Sequence, residues 1–445
     1  MDASVSSRAR PIRFLFVMFQ GGGNIPPILA VAQQLVAHGH QVRILAGPGL
    51  QPGRPPRPPS AAFLDGVRTI GATLVPFHQA QDPFTCLPPA QGLLWGWTPR
   101  AFTVNVFLAR RFLAAPVWAD NVQGALTRHP TDVVVADFHL VGALAAAEAA
   151  GVPAAALVHH PHIRPTPGMP PFGPGWRPAR GLVGRLRDSL GHAMVKRLYR
   201  RDGLRALNQA RQQRGLPPLR LPFQQYDAAV RVLILTSPAF DYRPRFLPSN
   251  VCYVGMPFEG SGTAPWESPW PASDERPLIL VSFSTAPQGQ TDLLRRTLTA
   301  LATLPVRGLV TLGPALAADA FAPPPNVVVT DFVPHARVLP HVAAIVSQCG
   351  HGTVMKALAH GIPLVCLPLF GDQPEVAARV VHAGAGVRLS RDAPATHIRT
   401  AIQRVLREPR FRVGAQRLAT TIAQEDGVKT AVEELESVVA STRDA

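Results

Sequence analysis

The sequence has little cysteine and no long uninterrupted apolar run. Its four cysteines form no CxxC pair and no cluster, so neither a zinc site nor a disulfide framework is predicted. No apolar stretch approaches the roughly 18–20 residues that a membrane-spanning helix needs. The apolar stretch near the start of the chain is short and runs into a glycine loop, which favours a first β-strand over a signal peptide. We therefore expect a cytoplasmic protein.

Lysine and aromatic residues are also scarce, although the chain is strongly basic. Its formal net charge is +16, and only three of the 44 basic residues are lysines. The arginines are mostly scattered and aromatic residues make up 7% of the chain, whereas nucleic-acid-binding proteins usually concentrate charge and interleave aromatics. No nucleic-acid partner is expected. One denser basic stretch, Arg185–Arg214, has a helical pattern; it is either a solvated helix face or a peripheral membrane contact that brings a lipophilic substrate within reach.

The 445 residues are enough for two or three domains, and 47% of them are apolar. Short β-branched runs alternate with longer amphipathic stretches, which is the pattern of a parallel α/β sheet. A stretch rich in proline, glycine and acidic residues at 257–277 precedes a fresh α/β pattern. We predict an N-terminal unit at 1–256, a linker at 257–277 and a C-terminal unit at 278–445, with the active site in the cleft between the units.

A glycine-rich turn from Cys349 to Thr353 follows a predicted strand and opens a helix. Free backbone N–H groups at the start of a helix, together with the Thr353 hydroxyl, form a ready site for an anion. Asp372 and Gln373 follow the next strand, at the edge of the sheet where α/β proteins bind ligands. These residues predict a phosphate-bearing ligand at the turn, with groups that bind hydroxyls opposite it.

The segment around this turn, SQCGHGTVMKALAHGIPLVCLPLFGDQPEVAARV, resembles the donor-binding signature of the family-1 (UDP-glycosyltransferase-like) enzymes of the GT-B fold. Further segments match in order over most of the chain, among them FQGGGNIPPILAVAQQLVAHGHQV and LVSFSTAPQG. The chain looks most like bacterial enzymes that glycosylate macrolides and other natural products. The resemblance implies two Rossmann-like domains that face a cleft, with a nucleotide sugar held mainly by the C-terminal domain and the acceptor by the N-terminal one.

The resemblance also implies which residues form the donor site. Ser284 and Thr285 match positions that contact the donor diphosphate, and Phe332 and Val333 match the stretch beside the nucleobase. The phosphate-cradling stretch and the pair that hydrogen-bonds the transferred sugar correspond to Gln348, Gly350, His351, Gly352 and Thr353, and to Asp372 and Gln373.

Three positions depart from the pattern of this family. Asn24 stands where the catalytic histidine of the family is expected, and an amide is no base near pH 7. Asp137 matches the carboxylate that commonly pairs with that histidine, so it becomes the candidate base. Asn24 then either orients the acceptor or the carboxylate, or merely caps the first helix. Gln348 replaces a diphosphate-contacting histidine and Lys356 replaces a ribose-binding glutamate, which leaves dTDP- and UDP-sugars both open.

No metal and no cofactor is predicted. The other major glycosyltransferase fold holds a divalent cation with a DxD motif, and none of the 18 aspartates of this chain lie two positions apart. His159, His160 and His162 are of a metal-ligating type, but no carboxylate or cysteine accompanies them at a matching spacing. We interpret them as polar residues at the end of a strand. If Asp137 is not the base, His159 or His160 is the next candidate, or the acceptor itself supplies the base.

The expected activity is inverting, metal-independent transfer of a sugar from a UDP- or dTDP-sugar to a lipophilic small molecule such as a polyketide, a phenol or a lipid. Two alternatives stay open: a catalytically silent homologue that binds sugar nucleotides, and a sugar-nucleotide epimerase of the same fold. A NAD-dependent oxidoreductase is disfavoured, because the first loop reads GGGNIPP rather than GxGxxG.

Overall fold

The computed structural model describes residues 10–47, 59–78, 102–258, 265–283, 288–313 and 316–443. These residues form two α/β units, each built on a wholly parallel β-sheet. Parallel strands need crossover connections, and in both units helices provide them. The α/β class that the sequence predicts is confirmed.

The first unit contains a seven-stranded sheet. Its strands are β1 (Arg13–Phe19), β2 (Gln41–Gly47), β3 (Thr73–Val75), β4 (Val133–Asp137), β5 (Ala154–Val158), β6 (Arg231–Ile234) and β7 (Val251–Tyr253), in the order β3-β2-β1-β4-β5-β6-β7. Its helices are α1 (Ile25–Ala37), α2 (Ala61–Thr69), α3 (Thr103–Arg111), α4 (Ala115–Arg128), α5 (Val141–Ala149) and α6 (Gly181–Gln212). Alternate residues of β1 enter two different hydrophobic cores, so both faces of the sheet are covered and the strand is apolar throughout.

The second unit contains a six-stranded sheet. Its strands are β8 (Leu278–Ser282), β9 (Arg307–Thr311), β10 (Val327–Thr330), β11 (Val342–Ser347), β12 (Leu364–Cys366) and β13 (Gly386–Arg388), in the order β10-β9-β8-β11-β12-β13. Its helices are α7 (Thr291–Ala302), α8 (His335–Val338), α9 (His351–Ala359), α10 (Gln373–His382), α11 (Ala395–Arg407) and α12 (Pro409–Ile422).

The last helix, α13 (Gly427–Arg443), packs on the first unit, although the predicted division at 278–445 places it in the second. Its apolar residues Ala431, Val432 and Leu435 are buried in the core on one face of the first sheet. Glu436 of this helix also accepts from the His40 ring at 2.9 Å. The reason is physical: the helix has an apolar stripe, and the surface of α1 and the first sheet is where that stripe is buried.

The basic stretch Arg185–Arg214 lies almost wholly in the 32-residue helix α6, as its helical pattern predicts. Several of its arginines pair with acidic residues: Arg187 with Asp188, Arg201 with Asp202, Arg211 with Glu148, and Arg214 with Asp120. The first turns of the helix instead expose Leu182, Val183, Leu186 and Leu190, each more than 60% exposed. Within the described residues, no helix is both long and apolar enough to cross a membrane.

Candidate active site

The carboxyl ends of three neighbouring strands bring polar residues together in the first unit. β4 lies between β1 and β5, and all three run parallel. Asp137 is the last residue of β4, Asn24 follows β1 through the glycine loop, and His159 comes directly after β5. Leu157 is the partner of Asp137 in the register, so His159 lies just beyond it on the neighbouring strand. The topology therefore places all three at one edge of the sheet, where such folds bind ligands.

Asp137 is the centre of this group, and its side chain has no exposed surface. Its Oδ1 accepts from the backbone N–H of His139 at 3.1 Å and lies 3.0 Å from Nδ1 of the same histidine. Its Oδ2 accepts from Nδ2 of Asn24 at 3.0 Å and lies 3.3 Å from Nδ1 of His159. Both carboxylate oxygens are thus occupied by protein groups.

Asn24 holds the carboxylate and does not cap the first helix with its side chain. It occupies the cap position of α1, but its side chain makes no capping hydrogen bond. Its Nδ2 donates to Asp137 and also to the carbonyl of Phe19 at 2.9 Å, and its Oδ1 accepts from the N–H of Gly21 at 3.2 Å. Of the alternatives that the sequence leaves open for Asn24, orientation of the carboxylate is the one that this geometry supports.

The electrostatics keep Asp137 ionised. Burial would raise the pKa of Asp137, but His159 and the hydrogen bonds from His139 outweigh burial and hold that pKa well below its usual range. Burial lowers the pKa of His139 well below its usual range, with the charge of Arg111 adding to the effect. His139 is therefore a neutral donor at neutral pH, and Asp137 is a charged acceptor.

Arg111, at the end of α3, adds a positive charge beside this group. Its guanidinium lies over the rings of Phe19 and Phe107, at 5.0 and 4.8 Å from their centroids. Burial lowers the pKa of Arg111 to about 10, and the charges of Asp137 and Asp372 oppose that effect. Arg111 is thus coupled to a carboxylate in each of the two units.

Asp137, His139 and His159 also have ligand atoms within 4.8 Å of one another, a spacing that suits a metal ion. The observed contacts favour hydrogen bonds instead. Two N–H groups that cannot bind a metal, the amide of Asn24 and the backbone N–H of His139, already point at the two carboxylate oxygens. The carboxylate is therefore solvated by protein donors.

The two other histidines of the predicted cluster are structural. His160 is 4% exposed, and its Nδ1 contacts the carbonyl of Pro161 at 2.7 Å. His162 donates its backbone N–H to Asp241, and its Nε2 lies 2.8 Å from the hydroxyl of Thr166. Burial lowers the pKa of His162 to about 4. The interpretation of these histidines as polar residues at a strand end applies to His160 and His162, whereas His159 joins the Asp137 group.

In the second unit, the glycine-rich turn leads from β11 into α9. Cys349 is buried with φ of 69°, a left-handed conformation that is strained for a residue other than glycine. This turn places Gly350 at the cap position of α9. A Cβ built on Gly352 meets nothing within 4 Å, so the backbone at the start of the helix faces open space. Thr353 is partly exposed in the same first turn. The arrangement has the shape and polarity that an anion needs.

Two other residues of the predicted phosphate stretch have buried side chains, and Gln348 places its Nε2 beside Gly350 at the start of α9. The His351 side chain is buried, and its Nε2 lies 2.8 Å from the hydroxyl of Thr236 in the first unit. Burial lowers the pKa of His351 to about 3, so it contributes no positive charge. Gln348 is also buried, and its Oε1 accepts from the Ser347 hydroxyl at 3.3 Å. Of this stretch, Gly350, Gly352 and Thr353 border the open space.

Asp372 and Gln373 stand at the start of α10 with different surroundings. Gln373 is buried; its Oε1 accepts from the N–H groups of Leu369 and Phe370, and its Nε2 donates to Gln288. Asp372 makes no side-chain hydrogen bond to another described residue. Burial raises the pKa of Asp372, and the charges of His159 and Arg111 oppose that rise. Asp372 is therefore the member of the pair with free acceptor capacity, and it is coupled to the first unit.

The remaining predicted donor residues lie after β8 and β10. Phe332 exposes 75% of its surface. Val333, by contrast, has its side chain buried in the core of the second unit. Ser284 and Thr285 lie outside the described residues.

Buried ionic contacts join the two units beside this site. Arg379 of α10 donates to Asp241 at 2.7 Å and to the carboxylate of Glu375 at 2.9 Å. Glu375 in turn accepts from the backbone N–H groups of Gly173 and Gly175, at 2.8 and 2.7 Å. The proline-rich loop after β5 is therefore fastened to the second unit.

Comparison with known proteins agrees with this architecture. Residues 295–438 match the family model described as Erythromycin biosynthesis protein CIII-like, C-terminal domain. The chain is 33% identical over 436 residues to 4'-demethylrebeccamycin synthase of Lentzea aerocolonigenes, which covers 96% of this chain and 99% of that protein. The chain belongs to the natural-product glycosyltransferases of the GT-B fold.

Further relatives fit this natural-product glycosyltransferase family. Demethyllactenocin mycarosyltransferase of Streptomyces fradiae is 33% identical over 202 residues, 45% of this chain and 42% of that protein. The calicheamicin glycosyltransferase CalG4 has a similar fold, with a TM-score of 0.71 over 97% of this chain and 99% of that one, at 23% identity. The glycosyltransferase of kitacinnamycin gives a TM-score of 0.73 over 96% and 99%, at 20% identity. The predicted GT-B fold is confirmed.

Sequence reasoning gave His159 and His160 only as alternatives to Asp137 as base, and it did not find the contact of His159 with Asp137. That contact follows from the register of β4 and β5, because Asp137 lies at the end of the strand adjacent to His159. Arg111 had no such signal, because it reaches the site from α3, whose packing no local pattern specifies.

Proposed function

We propose that this glycosyltransferase moves a sugar from a UDP- or dTDP-sugar to a lipophilic small molecule, with inversion at the anomeric carbon and without a metal ion. The observation that carries the proposal is the presence of one suitable group in each of the two units. An open helix start at Gly350–Thr353 can hold a diphosphate, and a buried ionised carboxylate group at Asp137 lies on the acceptor side. Inversion requires a single displacement at the anomeric carbon. The helix start would stabilise the departing diphosphate, and the Asp137 group would assist removal of the acceptor proton.

When the bond to the anomeric carbon breaks, the departing diphosphate gains one negative charge. Backbone N–H groups at the start of α9, the helix dipole and the Thr353 hydroxyl stabilise this charge. Phe332 stacks on the nucleobase, and Asp372 accepts hydrogen bonds from the sugar hydroxyls. This set of donors is why the proposal needs no cation.

The acceptor side favours a flat or apolar molecule. Phe107 of the first unit and Phe370 of the second meet edge to face, with ring centroids 5.0 Å apart. Phe19 and the Arg111 guanidinium extend this aromatic surface toward Asp137. The names of the relatives, which include a mycarosyltransferase and a synthase of a rebeccamycin precursor, support a natural product such as a polyketide or a phenol as acceptor.

A matrix of donors and acceptors tests this function. UDP- and dTDP-sugars are incubated with phenolic, polyketide and lipid acceptors, before and after EDTA treatment, and products are read by mass spectrometry. We expect a glycoside and one equivalent of nucleoside diphosphate from at least one pair, in equal yield with EDTA. A strict requirement for Mg²⁺ or Mn²⁺ would contradict the metal-free mechanism.

The same matrix separates the two alternatives. A silent homologue would bind nucleotide in calorimetry and give neither glycoside nor donor hydrolysis. An epimerase would change the stereochemistry of the donor sugar in the absence of any acceptor. Two of the relatives are named as a mycarosyltransferase and a 6-deoxyallosyltransferase, which favours the glycoside.

We also propose that the start of α6 touches an anionic membrane surface on which a lipophilic acceptor is presented. Leu182, Leu186 and Leu190 form an exposed apolar stripe, and Arg185 and Lys196 are exposed on the same helix. Sedimentation with anionic vesicles should capture the protein, and L186S together with L190S should release it. Equal binding of this variant, or no binding of either, would contradict the contact.

A further inference from the structure

The Asp137 carboxylate is badly placed to take a proton from an acceptor itself. Its side chain has no exposed surface, and both oxygens are in contact with protein N–H groups. An acceptor hydroxyl would have to displace one of these buried donors to reach it. Asn24 accepts no proton near neutral pH, so the residues that contact Asp137 from β1 supply no base either.

His159 lies beside Asp137 and, unlike Asp137, keeps part of its side chain exposed. Its Nδ1 is buried without a hydrogen-bond partner among the described residues and lies 3.3 Å from Oδ2 of Asp137, while the side chain as a whole keeps 15% of its surface exposed. Because the two nitrogens lie on different edges of the imidazole ring, a ring with Nδ1 toward the carboxylate directs Nε2 away from it. The rings of Phe19, Phe138 and His160 surround it, with centroids 5.4–6.5 Å away, so its orientation is restricted.

The charged and titratable groups around His159 come from both units. Asp137 and His139 face it from β4 and the residues that follow, and His160 is its chain neighbour. From the second unit, Asp372 and His351 are both within electrostatic range of it. Arg111 shares Asp137 and Asp372 as partners. His159 therefore lies between the acceptor-side carboxylate and the residues expected to bind the sugar.

We propose that His159, oriented by Asp137, is the general base of the transfer, and that Asn24 and His139 are positioning residues that hold Asp137. This inference rests on the proposed function. Nε2 takes the proton of the acceptor O–H or N–H while that heteroatom forms its bond to the anomeric carbon. The bond from that carbon to the diphosphate oxygen breaks, and the electron pair leaves with the diphosphate. The resulting imidazolium is paired with the negative charge of Asp137.

The other histidines of the cluster do not serve this role. His139 is 3% exposed and faces Asp137 through both its backbone N–H and its ring. His160 is 4% exposed and contacts a backbone carbonyl. Among the histidines described around Asp137, His159 combines contact with the carboxylate and exposed surface.

The test compares H159A and H159Q with wild type and with H397A, an exposed histidine on α11. The donor is the UDP- or dTDP-sugar found active in the matrix, and the acceptors are two phenols that differ by an electron-withdrawing nitro group. We expect kcat to fall by about 10²–10⁴-fold in both His159 variants. Nucleotide affinity by calorimetry and the melting temperature should match those of H397A. The loss should be smaller for the nitrophenol, which ionises without help.

Two further readouts separate chemistry from structure. Added imidazole should restore part of the turnover of H159A, because it fills the vacated space with a base. D137N should retain nucleotide affinity and move the acidic limb of the kcat profile to lower pH, because the protonated ring loses its negative partner. A merely structural residue would show neither effect.

The outcomes are distinguishable. If wild type transfers sugar and H159A keeps its kcat within tenfold with an unchanged acidic limb, the base assignment is wrong and the transferase stands. Loss of activity on EDTA treatment, with a metal ion found at one per chain, would make His159 a ligand and overturn the proposal. If wild type transfers no sugar at all, the proposed function fails and the inference fails with it.

Discussion

Nδ2 of Asn24 lies 3.0 Å from Oδ2 of Asp137, and this amide ties the end of β4 to the loop after β1. The same nitrogen donates to the carbonyl of Phe19, so both of its hydrogens are used. Asn24 thus stabilises the buried carboxylate of Asp137 by a hydrogen bond and does not itself bind a proton. His159, which follows the neighbouring strand β5, is then the residue that accepts the proton of the acceptor in our proposal.

We expect N24A to lower the free energy of unfolding by about 1–3 kcal/mol, because it leaves the Phe19 carbonyl and one contact of the Asp137 carboxylate unmade in a buried place. Urea unfolding followed by circular dichroism measures the change. Q33A, on the exposed face of α1, serves as the control and should stay within about 0.5 kcal/mol of wild type. Equal stability of N24A and Q33A would show that the amide does not hold the carboxylate.

The contact between the two units depends on a buried arginine. R379M removes the partner of Asp241 and leaves that carboxylate buried without a positive charge, so it should cost about 3–5 kcal/mol. D241N in the R379M background should recover part of this loss, because it removes the unpaired charge. The exposed pair of Arg295 and Asp292 provides the control, and R295M should leave the unfolding midpoint unchanged. Additive single-variant effects would contradict the coupling.

Buried neutral histidines should make the protein sensitive to acid. Burial lowers the pKa of His162 to about 4, whereas in an unfolded chain a histidine titrates near ~6.5. Between these values the unfolded chain binds the proton and the folded one does not, so stability falls as the pH drops through this range, by up to about 1.4 kcal/mol per pH unit for the group. Unfolding at pH 7, 6 and 5 measures the slope. H162Q should flatten it and H397Q should not.

The start of α9 should contribute donor affinity through its side-chain hydroxyl as well as its backbone. T353V keeps the shape and removes a hydrogen-bond donor, so the nucleoside diphosphate should bind more weakly by about 1–2 kcal/mol. Titration calorimetry measures this difference. T396V, at an exposed position in the first turn of α11, is the matched control. Unchanged affinity in T353V would mean that this turn does not hold the phosphates.

Much of the fold follows from local pattern. The buried run of β1, the glycine loop and the amphipathic α1 form a βα unit that periodicity alone predicts, and the strand after 277 begins a second set. The packing of α13 does not follow from local pattern, because an amphipathic stripe shows that a helix needs an apolar surface but not which surface it packs on.

The site was predictable only in part, for the same reason. Gly350, Gly352 and Thr353 are adjacent in sequence, so their turn is visible as a motif. The contact between Asp137 and His159 depends on the register of β4 and β5, and the inward turn of His351 depends on Thr236 in the other unit. The burial of the Val333 side chain likewise depends on the packing of the second unit, which the sequence motif does not specify.

The most direct test is the stereochemistry of the product. The glycoside formed from a donor of known anomeric configuration is isolated after EDTA treatment of the enzyme, and its anomeric proton coupling is read by NMR together with the amount of nucleoside diphosphate released. The account predicts one glycoside per nucleoside diphosphate, with the opposite configuration at the anomeric carbon. A product of retained configuration, or nucleotide release without glycoside, would contradict it.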